Sequence, residues 1–197
     1  HTFGIPVQID EIKKICEEYN LNLVEDAAES LGSFYGKKHT GSVGLLSTLS
    51  FNGNKIITTG SGGMILTNNK ELAERAKHIS STAKKPHAWD FFHDEIGFNY
   101  RLANLNAALG LAQLESLPSY LKNKRWIAEQ YLEWGEKNGI NFLKEDTNTR
   151  SNYWLNALIA KDRTNRDTFI GGTLNKDSWE RAYIHSIGGV CNIVDDK

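Results

Sequence analysis

The chain has 197 residues, 40% of them hydrophobic and 24% charged, enough for one sizeable core; 23 Lys and Arg stand against 24 Asp and Glu. That balance gives no electrostatic reason to bind nucleic acid or an anionic membrane, and no apolar run approaches the roughly 20 residues of a membrane span. Cys16 and Cys191 lie far apart and belong to no C-x-x-C pair, which argues against a disulfide framework or a zinc site and for a reducing, cytoplasmic setting without a metal.

The opening residues HTFGIP carry no signal-peptide pattern and read as the interior of a longer protein. From Gln8, the spacing of Ile9, Ile12, Ile15, Cys16 and Tyr19 predicts an amphipathic helix. Leu21 to Val24 is short, apolar and β-prone, which places Asp26 near the C-terminal edge of a strand, where open α/β sheets hold their ligands. A glycine-rich stretch from Gly32 to Gly44 leads to a second strand, Leu45 to Phe51, and Met64 to Thr67 makes a third. Asn68 or Asn69 caps a helix through Glu71, Leu72, Arg75, Ala76 and Ile79. Residues 80–100, with Pro86 and Trp89, read as a long functional loop. Ala103 to Leu117 predicts a helix that Pro118 interrupts, and a second helix carries Trp126, Ile127, Tyr131 and Trp134 to Gly135 or Gly139. Those three aromatic residues read as core. Beyond Asn141 only Tyr153 to Ala160 suggests a strand. Alternation of strands and helices predicts an α/β fold with a mostly parallel sheet flanked by helices.

Three segments carry the chemistry: Glu25-Asp26-Ala27-Ala28-Glu29 at a strand end, Ser50-Phe51-Asn52-Gly53-Asn54-Lys55, and the glycines Gly60, Gly62 and Gly63. Singly they are ordinary, since an acid at a strand end usually caps a helix and a lysine in a turn is usually solvated. Together they are a chemically sensible set. A cofactor that stabilises carbanions through a pyridinium ring needs a lysine for its aldehyde, an acid for its ring nitrogen and small polar groups for its phosphate. Lys55, Asp26 and Ser50 supply one of each, and a buried Asp26 would stay ionised beside the ring nitrogen. A P-loop is excluded because the lysine precedes its glycines.

The run LVEDAAESLGSFYGKKHTGSVGLLSTLSFNGNKIITTGSGGMILTN, followed by EIGFNYRLANLNAALGLAQLE, resembles the DegT/StrS family of pyridoxal-phosphate-dependent sugar-nucleotide aminotransferases. FNGNKIITTG most resembles its branch acting on UDP-linked 4-keto-6-deoxy-N-acetyl sugars of the legionaminic-acid and bacillosamine type. The resemblance implies the PLP-dependent transferase fold type I, the fold of aspartate aminotransferase. It further implies pyridoxal 5′-phosphate held by Lys55 as a Schiff base, Asp26 on the pyridine nitrogen, Glu29 where the family often has Gln, and Ser50 on the phosphate. Asn99 would reach the phosphate in a neighbouring subunit, which makes the protein a homodimer with shared active sites. His87, Trp89 and His93 become candidates for the sugar-nucleotide channel. An amino acid donor, by analogy glutamate, would supply the nitrogen. A dehydratase of the same family typically replaces the lysine by histidine, which Lys55 argues against. By the same resemblance, residues 1–118 are part of the large cofactor-binding domain, 119–165 a connecting helix and the start of the small domain, and 166–197 unassigned, departing from the family. Family members run to nearly twice this length, so the chain is expected to lack the N-terminal part. The alternative is a truncated or degenerate member that only binds cofactor or a partner subunit. Ser61 stands where the branch tends to have Gly.

Overall fold

The structure, a computed structural model, describes residues 1–166. The expectations for 167–197, including the greater part of the unassigned segment, lie outside the described residues. Helix α1 (Ile9–Glu18) carries Asp10 and Glu11 in its first turn, where acids complement the helix dipole. It ends because Asn20 takes a left-handed φ of 53°, which Asn tolerates better than most residues. The N–H groups of Leu21 and Asn20 then return to the carbonyls of Cys16 and Glu17 at 2.7 and 3.3 Å. Of the predicted apolar face, Ile9 is buried while Ile12, Ile15 and Tyr19 are exposed.

Strand β1 (Val24–Asp26) pairs in parallel with β4 (Leu46–Ser50), placing Asp26 opposite Thr48. Strand β5 (Gly63–Leu66) pairs antiparallel with β4, Leu49 opposite Met64. The described sheet is therefore mixed rather than mostly parallel. A parallel return needs a long crossover, usually a helix. Here residues 51–62 form a compact loop closed by Phe51 N–H to Gly62 O (2.9 Å) and Thr59 N–H to Phe51 O (3.0 Å). Gly60 and Gly62 take φ of 84° and 111° in this loop, Ser61 between them is not among the positive-φ residues, and a Cβ on Gly63 would meet Leu49 O at 2.4 Å. These glycines serve the turn and the close β4–β5 approach.

A second, antiparallel sheet has β2 (Phe34–Tyr35) between β3 (Lys38–His39) and β6 (Thr149–Arg150). Helix α2 (Lys70–Ser80) is capped by Asn69, whose Oδ1 accepts from Leu72 N–H at 3.0 Å. The predicted pair of helices around Pro118 is one helix, α3 (Asn104–Asn138), which runs through the proline and ends at Gly139 with φ 69°. The expected domain boundary at 118/119 thus falls inside a continuous helix. Gly135 admits the following turn, since a Cβ there would lie 2.6 Å from Ile140 O and 2.7 Å from the Phe142 ring.

Among the described residues, two apolar clusters form the core. One contains Ala27, Leu49, Phe51 and Ile57; the other contains Phe3, Trp154, Leu155 and Ala157. Ile56 packs against both. Tyr153 to Ala160 is not a strand: Phe142 and Leu158 form only an isolated bridge, and Tyr153 has a left-handed φ of 47°. The apolar run instead reflects burial of 153–155, 157 and 158.

Arg125 on α3 grips Glu145 through two N–H···O bonds of 2.8 and 2.7 Å and also donates to Ser151 O at 2.7 Å. Ser151 N–H donates to Glu145 Oε2 at 2.6 Å. Burial alone would raise the Glu145 carboxyl, but the Arg125 guanidinium and the Ser151 amide outweigh it and hold its pKa below the ordinary value of 4.5. A depressed carboxyl contributes stability in full above its unfolded pKa and loses it as pH falls through the folded one. Glu145→Gln is therefore expected to cost about 1–2 kcal/mol at neutral pH and to show less acid destabilisation below about pH 4.5 than the parent. Thermal melts across that window check this; equal slopes in parent and variant would refute it.

Candidate functional site

Parallel pairing of β1 and β4 brings their C-terminal ends to one edge, so Asp26, at the end of β1, and Ser50, at the end of β4, lie on the same side of the sheet. The chain then turns, with Lys55 N–H donating to Asn52 O at 3.1 Å. Ile56 and Ile57 are held by the core clusters, which fixes the backbone of Lys55. Its side chain is only 13% exposed. Glu29 Oε1 lies 3.8 Å from Lys55 Nζ, and Glu29 Oε2 accepts from Phe3 N–H at 2.8 Å. Trp154 places its ring centroid 3.9 Å from the same Nζ. Ser50 Oγ accepts from Asn52 N–H at 3.3 Å. Lys55, Glu29, Ser50 and Trp154 line one small cavity with Ala28 and Ile56, about 10 Å³ in volume, roughly the space of one water.

Asp26 is exposed rather than buried, and its Oδ1 accepts from Ala28 N–H at 3.0 Å. The alternation of β1 explains this: Glu25, not Asp26, points into the interior. Glu25 accepts from the N–H groups of Gly41 (2.8 Å), Val43 (2.6 Å) and Gly44 (2.5 Å) and from His1 Nε2 at 3.0 Å. Val7 N–H donates to His1 Nδ1 at 3.3 Å, so the hydrogen-bond pattern assigns the imidazole proton to Nε2.

His87, Trp89, His93 and Asn99 do not line the cavity by Lys55. They lie on residues 81–100, which fold back through isolated bridges Ser81↔Asn99 and Lys84↔His93. Asn99 is exposed and Trp89 is 85% exposed. His87 Nδ1 accepts from Asp90 N–H at 2.9 Å, and His93 Nδ1 pairs with Thr82 O at 2.7 Å. An ion-pair network ties this segment to α2: Arg75 to Glu95, His78 to Asp94 (2.7 Å) and Lys85 to Asp94 (3.1 Å). His78, Asp94 and Glu95 are close enough to surround an ion, but Lys85 and His78 hold the Asp94 carboxyl, and Arg75 the Glu95 carboxyl, below the usual range. Lys85 and Arg75 already neutralise the acids.

Trp154 and Asn152 escaped the sequence reading. Fully buried Asn152 donates to Glu29 O and Leu31 O, both at 2.9 Å, and its Oδ1 accepts from Trp154 N–H at 2.8 Å. The Trp154 indole N–H donates to Asn54 O at 2.7 Å. These bonds hold Tyr153 in a left-handed conformation that costs an L-residue about 1–2 kcal/mol. A tryptophan within an apolar run carries no signal that a lysine a hundred positions earlier sits on its face.

The described architecture and its structural neighbours define a PLP-dependent transferase fold of type I. The chain belongs to the DegT/DnrJ/EryC1/StrS aminotransferase family, whose model matches residues 1–182; residues 167–182 of that match lie outside the described ones. EpsN of Bacillus subtilis, whose name carries a provisional assignment as a pyridoxal phosphate-dependent aminotransferase, is 42% identical over 157 residues, covering 79% of this chain and 40% of EpsN. GDP-perosamine synthase of Escherichia coli O157:H7 is 39% identical over 171 residues, covering 85% of this chain and 45% of that enzyme. Helicobacter pylori PseC, an aminotransferase involved in the biosynthesis of pseudoaminic acid, superposes with a TM-score of 0.80 at 28% identity, covering 88% of this chain and 48% of PseC. The chain thus spans less than half the length of these relatives. Among the described residues no helix is long and apolar enough to cross a membrane.

Proposed function

We propose that this chain carries the cofactor lysine of a PLP-dependent aminotransferase acting on a UDP-linked 4-keto-6-deoxy sugar in surface-polysaccharide synthesis, with an amino acid, glutamate by analogy, as donor. The supporting observation is the convergence of Lys55, Glu29 and Ser50 on one cavity at the strand edge where Asp26 also ends. Nucleotide-sugar enzymes among the relatives, including GDP-perosamine synthase and a UDP-4-amino-4,6-dideoxy-N-acetyl-β-L-altrosamine transaminase, support the substrate class.

The donor set fits pyridoxal phosphate: a lysine amine, a carboxylate and a hydroxyl at one edge. The space beside Lys55 is water-sized, so the exposed edge with Asp26, not that space, is the place for a ring. When bound, the cofactor supplies an electron sink that stabilises a carbanion. Lys55 holds its aldehyde and moves the proton, Asp26 keeps its ring nitrogen protonated, and Ser50 binds its phosphate. Glu29 orients Lys55 and faces the cofactor. Asn99 acts on the phosphate in the site of a second copy, and His87, Trp89 and His93, which do not line the cavity by Lys55, line the sugar-nucleotide channel. Such sharing makes the protein a homodimer; its reaction belongs in the cytoplasm.

The test is borohydride reduction after addition of pyridoxal phosphate, with peptide mass mapping. One adduct on Lys55, absent in Lys55→Ala, is expected; adducts scattered over exposed lysines, or none, would overturn the cofactor assignment and favour a chain that only joins a partner subunit. Turnover compared between UDP- and GDP-linked 4-keto sugars decides the nucleotide.

A further inference from the structure

Lys55 is held from two sides, and both partners are themselves immobilised. The Trp154 ring lies 3.9 Å from Nζ and Glu29 Oε1 lies 3.8 Å from it. Trp154 is 5% exposed, with its indole N–H on Asn54 O, its backbone N–H on Asn152 Oδ1, and its carbonyl accepting from Lys124 Nζ at 3.1 Å. Glu29 is fixed by Phe3 N–H on its other oxygen and by Asn152 Nδ2 on its carbonyl. Asn152 therefore braces both walls at once. An indole face is the strongest aromatic partner for a cation, and desolvation strengthens the contact; a carboxylate on the other side adds a full opposite charge.

We infer that Trp154 and Glu29 form a seat for the Lys55 amine and act as positioning residues, returning the lysine to one place whenever its nitrogen is not bonded to the cofactor. The inference rests on Lys55 being the cofactor lysine. Trp154 presents its ring face to the Lys55 amine, so its role is exerted through Lys55. The seat holds Nζ in place between an aromatic face and a carboxylate. It also shields one side of Nζ.

Both effects slow acylation of Lys55, which gives the experiment its direction. The full chain, free of cofactor, is treated with limiting acetic anhydride, and the acetylation rate of each lysine is read by peptide mass spectrometry. Trp154→Leu and Glu29→Gln are each expected to raise the Lys55 rate roughly three- to tenfold, and Trp154→Phe, which keeps a weaker aromatic face, to raise it less. Lys124 reports on the segment itself, since its amine is bound to the Trp154 carbonyl; its rate is expected to stay at the parent level. Lys55 rates within twofold of the parent in all three variants would overturn the inference. So would a rise in Trp154→Leu that Lys124 shares while Glu29→Gln shows none, which reads as local unfolding. The borohydride adduct on Lys55 is scored separately: its loss defeats the cofactor assignment, whereas unchanged acetylation with the adduct intact defeats the seat alone.

Discussion

Asn152→Ala is expected to lower folding stability by about 3–5 kcal/mol. The side chain is fully buried and makes one bond with each of three backbone groups, Glu29 O, Leu31 O and Trp154 N–H. Alanine leaves all three without that partner, and an orphaned buried group costs about 1–3 kcal/mol. The left-handed Tyr153 next door adds to the effect, because its strain persists only while the surrounding bonds hold it. Denaturant unfolding of parent and variant gives the number directly. A loss under about 1 kcal/mol would mean that water replaces the amide at little cost, contrary to this reading. Asn152→Asp is expected to fall between: it retains an acceptor for Trp154 N–H but turns a carboxylate oxygen toward two carbonyls.

Glu25→Ala has an expected cost of similar size, about 3–5 kcal/mol. The carboxylate gathers Gly41, Val43 and Gly44 amides and the His1 imidazole into one buried point. Without it, three N–H groups face a small void. Glu25→Gln keeps the volume, yet whichever way the amide turns its NH₂ meets N–H donors, so an intermediate loss of about 2–3 kcal/mol is expected. Amide exchange localises the effect: protection at Gly41, Val43 and Gly44 should fall in both variants more than protection in α3. If α3 and the 41–44 amides lose protection equally, the carboxylate is not a local anchor. Asp26 is the next residue on the strand, so the same anchor sets where that acid ends.

Local signals explain which parts of the fold were legible. The Asn69 cap announced α2 to within a residue, and short β-prone runs located β1, β4 and β5, although β1 begins at Val24 rather than Leu21. Strands β2, β3 and β6 were hidden, because each is two residues long and β2 pairs with β6 across more than a hundred positions, Phe34 with Arg150. Direction of pairing was equally nonlocal; nothing in Met64 to Thr67 says that β5 returns antiparallel. Pro118 misled because a proline removes one helical hydrogen bond without ending a helix whose flanks are strong helix formers. Lys55, Glu29 and Ser50, which the motifs single out, come together on one cavity. Burial of Glu25 and exposure of Asp26 depend on which strand face meets the core, and the seat under Lys55 depends on where residues 151–155 return.

Ile56 gives the arrangement a reach beyond the site. Because it packs against both apolar clusters, a change at Phe3 or Ala157, distant from Lys55 in the chain, bears on the lysine through a single neighbouring residue. Thermal tolerance and the placement of Lys55 then cannot drift independently here. Substitutions selected only to loosen or tighten either cluster carry a shift of Lys55 as a by-product, and a variant library scored for heat resistance would enrich, without intending to, for altered placement of that side chain.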